Sequence, residues 1–125
     1  MNDEQRMRAA MQAYLDAFNA GDPDAVVALY AENATVEDPV GSEPIRGRQA
    51  IADFYARSTA YGATLHRDEP IRASHGNAAA MAFFVDIDLG QGPVTIRVID
   101  VMTFDEAGKF STMKAYWGPG DIVPR

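Results

Sequence analysis

The spacing of apolar residues changes once, at Tyr61-Gly62, and that change limits the possible folds more than any other feature of the chain. Before it, apolar side chains recur mainly every third or fourth residue, as on one side of a helix. After it they recur every second residue, as on one face of a strand. Met7, Ala10, Met11, Tyr14, Leu15 and Phe18 predict a first helix, capped by Asn2 or Asp3 and stopped at Gly21. Asp22-Pro23 reads as an N-cap with proline at the first helical position, opening a short helix through Val26, Val27, Leu29 and Tyr30. A third helix is expected over residues 48–58, with Ile51, Phe54 and Tyr55 on one stripe. One strand, Ala34 to Asp38, interrupts this half, and Pro39 and a loop from Gly41 to Gly47 follow it. The second half predicts strands over 64–67, 71–75, 79–89, 94–104 and 110–117, with hairpin loops at Gly90-Gln91-Gly92-Pro93 and Asp105-Glu106-Ala107-Gly108. Helices first and an antiparallel sheet afterwards indicate an α+β domain, with the helices packed on one face of a twisted sheet.

Composition narrows the partners. A chain of 125 residues, 47% hydrophobic, is the size of one domain with a packed core, expected over residues 1–125. With 18 acidic against 11 basic residues, the net charge of -7 opposes phosphate backbones and anionic lipid, so neither nucleic acid nor a membrane is expected as a partner. The charged N-terminus carries no apolar segment of a signal peptide or membrane span, and the cytoplasm is the default location. The absence of cysteine excludes disulfides, a thiolate nucleophile and a cysteine zinc site. His66 and His75 do not stand at the spacing of a helical or hairpin ligand pair, so no metal is expected. A serine nucleophile motif, a glycine-rich phosphate loop and a cofactor fingerprint are missing too, and no cofactor is expected.

Three polar residues interrupt the apolar rows. In Val98-Ile99-Asp100-Val101-Met102-Thr103-Phe104, strand alternation puts Asp100 on the same face as Val94, Ile96, Val98, Met102 and Phe104, pointing into the core. An ionised carboxylate there needs a partner, so Asp100 is half of a buried ion pair, with Arg72 or Arg97, or a neutral acid. Arg97 has the opposite parity and is a poor same-face partner. Asp38 shares a face with Ala34 and Val36 but ends its strand at Pro39, which makes it a partly wet rim residue or a strand-end cap on local N–H groups. Tyr14 lies in the buried helix stripe, where its hydroxyl needs a partner in the core or at a cavity wall. Together, one ionised carboxylate, one neutral acid and a phenol can move a proton next to a carbonyl and hold the resulting enolate. Asp38, at the loop edge, is expected to keep an ordinary pKa and act as base; Asp100, in its apolar row, is expected to be raised and remain a donor.

Several strings carry a closer likeness. Ala13-Tyr14, Asn19-Ala20-Gly21-Asp22, Ala34-Thr35-Val36-Glu37-Asp38-Pro39-Val40-Gly41, Phe54-Tyr55, Glu69-Pro70-Ile71-Arg72-Ala73-Ser74-His75, Val98 through Asp105 and Met113-Lys114-Ala115-Tyr116-Trp117 resemble the bacterial ketosteroid isomerases, or steroid delta-isomerases, of the nuclear transport factor 2-like superfamily. The tail from Gly118 to Arg125 departs from that pattern. The resemblance implies a conical α+β fold, with a curved, mostly antiparallel sheet wrapped around three N-terminal helices and an internal apolar pocket. It implies Asp38 as the base carrying a proton from C4 to C6 of a 3-oxo-5-ene steroid, and Tyr14 and Asp100 as donors to O3. In that family a carboxylic acid kept neutral by an apolar site is already known, and Asp100 takes that part by likeness. Tyr30 and Tyr55 would extend a phenol network behind Tyr14.

Phe54, Met81, Phe83, Met102 and Trp117 are candidates for the pocket wall, with plain core packing as the alternative for each. A homodimer on the outer sheet face is implied as well, where Thr95, Arg97, Ile99, Val101 and Thr103 form an unusually apolar row. Two other functions stay open: another hydratase, cyclase or epoxide hydrolase on the same cone, and a steroid-binding protein without turnover.

Overall fold

The computed structural model describes all residues, Met1–Arg125. The elements are α1 (Asp3–Asn19), α2 (Pro23–Val27), β1 (Tyr30–Glu37), β2 (Ile45–Arg46), α3 (Arg48–Ala60), β3 (Thr64–Arg67), β4 (Ala78–Asp88), β5 (Pro93–Phe104), β6 (Phe110–Tyr116), a 3-10 turn (Pro119–Asp121) and β7 (Ile122–Pro124). The α+β reading is correct, with three helices before the main run of strands. Asn2 caps α1 reciprocally with Gln5, and the Asp22 carboxylate accepts from Ala25 N–H, so both helix starts follow from local sequence. On α1 the residues Met7, Met11, Tyr14, Leu15 and Phe18 are buried, the stripe its spacing requires.

The sheet runs β2-β1-β6-β5-β4-β3, with β7 added alongside β5. Its long ladder is β4 against β5, in unbroken antiparallel register from Ala78↔Thr103 to Asp88↔Pro93. Paired residues share a face, so Ala79, Met81, Phe83 and Val85 meet Met102, Asp100, Val98 and Ile96 on the concave side. One hydrophobic cluster joins that side to α1, α2 and α3.

Three expectations need correction. The second helix stops at Val27, and Tyr30 opens β1. Phe110 N–H donates to the Leu29 carbonyl, so pairing with β6 claims backbone that a longer helix would use. The segment 71–75 is not a strand. Only Arg72 pairs with Ala80, because Ser74 turns the chain by donating to the Ala78 carbonyl and accepting from Gly76 N–H. The loop from Gly41 to Gly47 contains β2, which pairs with Thr35 and Val36, and the tail contributes β7. The sheet is mostly antiparallel, as the likeness implied; its one parallel pair of strands is β1 with β6, Val36↔Met113 and Glu37↔Lys114. Parallel pairing joins strands distant in sequence, and no local period records it.

Candidate active site

The concave face and the helices leave a small, open-mouthed cavity of about 170 Å³. Its wall is apolar, including Phe18, Phe54, Phe83, Val85 and Val98. Tyr61, 58% exposed, marks the mouth, whereas Tyr14 and Asp100, 4% and 1% exposed, lie at the closed end. Asp38 and Trp117 also face this space.

Asp100 is placed by the pleat of β5. Met81 stands opposite it on β4 and Ala115 on β6, so apolar side chains flank the carboxyl on both sides. Neither oxygen has a hydrogen-bond partner, and they are the only buried side-chain polar atoms in that condition. The ion-pair alternative fails. Arg97 points to the other face and donates to the Gly120 carbonyl, while Arg72 bonds Pro70 and lies beside Glu69. Burial, and then the charge of Asp38, push the Asp100 carboxyl well above its ordinary pKa.

Asp38 comes from the end of β1, one residue beyond the Glu37↔Lys114 pair. It does not cap local backbone; Glu37 fills that place by accepting from Gly41 N–H. One Asp38 carboxylate oxygen instead accepts the indole N–H of Trp117 at 2.9 Å. Because β1 and β6 are parallel, both strands end on the same side of the sheet and deliver the two side chains together. The expected ordinary pKa needs correction. Burial raises the Asp38 carboxyl, and the Trp117 N–H offsets part of that rise by bonding the charged form. Of the two carboxyls only Asp38 has a donor for its anion, so it still ionises first. Asp38 and Asp100 are separated by β6, hence by two strand spacings or about 10 Å of backbone, with the small Ala115 between them.

The phenols form a chain behind this floor. The hydroxyls of Tyr14 and Tyr55 lie 3.0 Å apart, and those of Tyr55 and Tyr30 lie 2.6 Å apart. Desolvation holds all three well above the ordinary phenol pKa, so they are neutral. Each has one proton. If Tyr14 directs its proton into the cavity, Tyr55 must donate to Tyr14 and Tyr30 to Tyr55.

Of the wall candidates, Phe54, Phe83 and Trp117 line the cavity. Met81 and Met102 do not; at 2% and 0% exposure they pack in the core, where the helices cover the sheet. Tyr30 also stands behind the wall. Sequence reasoning passed over Phe18, Val85, Ile87, Ile96 and Val98, although Phe18 lies in the α1 stripe and the others share strand parity with Phe83 or Asp100. It also treated Trp117 only as wall. No local signal could have shown its bond to Asp38, since the two lie 79 residues apart.

Comparison with known proteins agrees with this geometry. Residues 11–113 match the model of the SnoaL-like domain. The chain is 45% identical over 118 residues to a steroid Delta-isomerase of Nocardioides simplex, covering 94% of each chain. It is 29% identical over 112 residues to the epoxide hydrolase LasB of Streptomyces lasalocidi, covering 86% of this chain and 40% of that longer one. Among solved structures, SalBIII, an epoxide hydrolase/cyclase-like enzyme in pyran ring formation in polyether salinomycin, superposes over all of both chains with a TM-score of 0.92 at 32% identity. With 45% identity sustained over nearly its whole length and a SnoaL-like domain across most of it, the chain belongs to the steroid Delta-isomerase family.

Proposed function

We propose that this protein is a steroid delta-isomerase that converts 3-oxo-5-ene steroids to the conjugated 3-oxo-4-enes without a cofactor. What supports this reading is a neutral, unpartnered carboxyl and a phenol at the dry end of an apolar cavity that also holds one oriented, ionisable carboxylate. The Asp38 carboxylate removes the C4 proton. The electrons of that C–H bond form the C3–C4 double bond, and the carbonyl pair moves to O3, giving a dienolate. Tyr14 and Asp100 donate hydrogen bonds to O3, which binds them more strongly as it becomes negative. Asp38 then returns its proton to C6, and the electron flow reverses into the 4-ene ketone. No proton is gained or lost overall, so the cycle needs no metal or redox partner. Phe54, Phe83 and Trp117 hold the flat ring system.

Addition of a 3-oxo-5-ene steroid to the folded protein should raise the ultraviolet absorbance of the conjugated enone, and a flat trace would reject this function. Epoxide opening is the second reading, favoured by the fold-wide likeness to SalBIII. Turnover of an epoxide in place of the steroid would select it. Steroid binding without turnover gives no reason for a carboxylate held by an indole N–H.

Ile99, Tyr116 and Val123 are apolar and substantially exposed on the convex face of β5, β6 and β7, and we assign them to a homodimer contact. A monomer by light scattering at micromolar concentration would remove that assignment.

A further inference from the structure

Beyond Tyr116 the chain does not leave the sheet. β6 pairs with β5 up to Tyr116↔Ile99, and β7 resumes on the same side of β5 at Ile122↔Ile96. The two are one long strand, interrupted where Trp117–Asp121, five residues, oppose only Arg97 and Val98. Such bulges bend a strand. Trp117 opens this one: the alternation of Ala115 and Tyr116 turns its side chain to the concave face, where its indole holds the Asp38 carboxylate.

The bulge is fastened at three points. An Asp121 carboxylate oxygen accepts Gly118 N–H at 2.9 Å, and Asp121 N–H donates to the Gly118 carbonyl at 2.9 Å. Arg97, on the convex face of β5, donates to the Gly120 carbonyl at 3.2 Å. β7 ties down the far end, with Arg125 N–H donating to the Pro93 carbonyl. Gly118 immediately follows Trp117, so these bonds fix the backbone that aims the indole.

We propose that the Gly118–Asp121 bulge, fastened by Asp121 and Arg97, is the positioning element for the base: it sets the Trp117 indole and through it the orientation and proton affinity of Asp38. This rests on the isomerase reading only in calling Asp38 the base; the link itself is structural. Asp121 and Arg97 touch no substrate and are positioning residues. The other titratable groups sharing Asp38's field are Tyr14 of α1, Tyr30 of β1 and Asp100 of β5. Asp68 shares the outer groove with Arg97 and Asp121.

Trp117 is the only tryptophan, so a proton–nitrogen correlation spectrum contains a single indole signal that reports on this contact. In the wild type its shift should titrate with Asp38, and Asp38→Asn should abolish that titration. Asp121→Ala should shrink the indole titration and raise the Asp38 midpoint, read from its side-chain carboxyl carbon, toward the rise of about one pH unit expected for Trp117→Phe. Asp121→Asn, which keeps an acceptor for Gly118 N–H, should restore both. If Asp121→Ala fails to fold, Arg97→Met, which has no donor for the Gly120 carbonyl, carries the same expectation from the other side of the bulge. An unchanged indole titration and Asp38 midpoint in folded Asp121→Ala, or in folded Arg97→Met, would overturn the proposal. Because these readouts need no turnover, a failed isomerase assay would leave the link standing, and a failed link would leave the isomerase standing.

Discussion

Asp38 and Asp100 face the same cavity from opposite conditions. Asp38 stands at a strand end, partly exposed, with an indole N–H on one oxygen. Asp100 stands in mid-strand, buried between Met81 and Ala115, with no donor on either oxygen. Burial raises both carboxyls, yet only one has a group that favours its anion. Depth of burial and the placement of one N–H can therefore give two identical side chains different proton affinities. Tyr14 sides with Asp100: it too is dry and neutral, but the phenol chain behind it supplies the partners that Asp100 lacks.

The contrast is broken most severely at Asp38. Asp38→Asn removes the proposed base while keeping the shape, and kcat should fall about 10²–10⁴-fold with binding of a dienolate analogue retained. Equal turnover in that variant would take Asp38 out of its role. Next come the donors: Tyr14→Phe and Asp100→Leu should each lower kcat by about 10²–10³-fold with the fold intact by circular dichroism. An unchanged rate in Asp100→Leu would make that aspartate purely structural.

The smallest effect is on stability. A carboxyl whose folded pKa lies above its unfolded one binds more protons in the folded state, so it stabilises the fold below the unfolded pKa. That stability is lost as pH rises from there to the folded pKa. Asp100, raised well above the ordinary range, should thus lower the wild-type Tm as pH increases above about 4. In Asp100→Asn that part of the slope should vanish; an identical pH dependence of Tm in the two proteins would mean that Asp100 titrates normally.

Local patterns determined much of this molecule. The helical stripe placed Tyr14 indoors, period-two alternation put Asp38 and Asp100 on the concave face, and the caps at Asn2 and Asp22 set the helix starts. These signals reach a few residues along the chain, which is the range of a turn or a pleat. They stop where backbone hydrogen bonds have a choice of partner. Tyr30 joined β1 and not α2 because β6 was there to pair with it, and residues 71–75 yielded to a turn.

The site's asymmetry was decided at longer range still. Only the parallel pairing of β1 with β6 brings Asp38 beside Trp117, whose side chain the alternation of β6 turns inward. Parity in the sequence could say that both carboxyls face the cavity. Which of them gains a donor depends on strands meeting across most of the chain's length, and the tertiary fold alone supplies that.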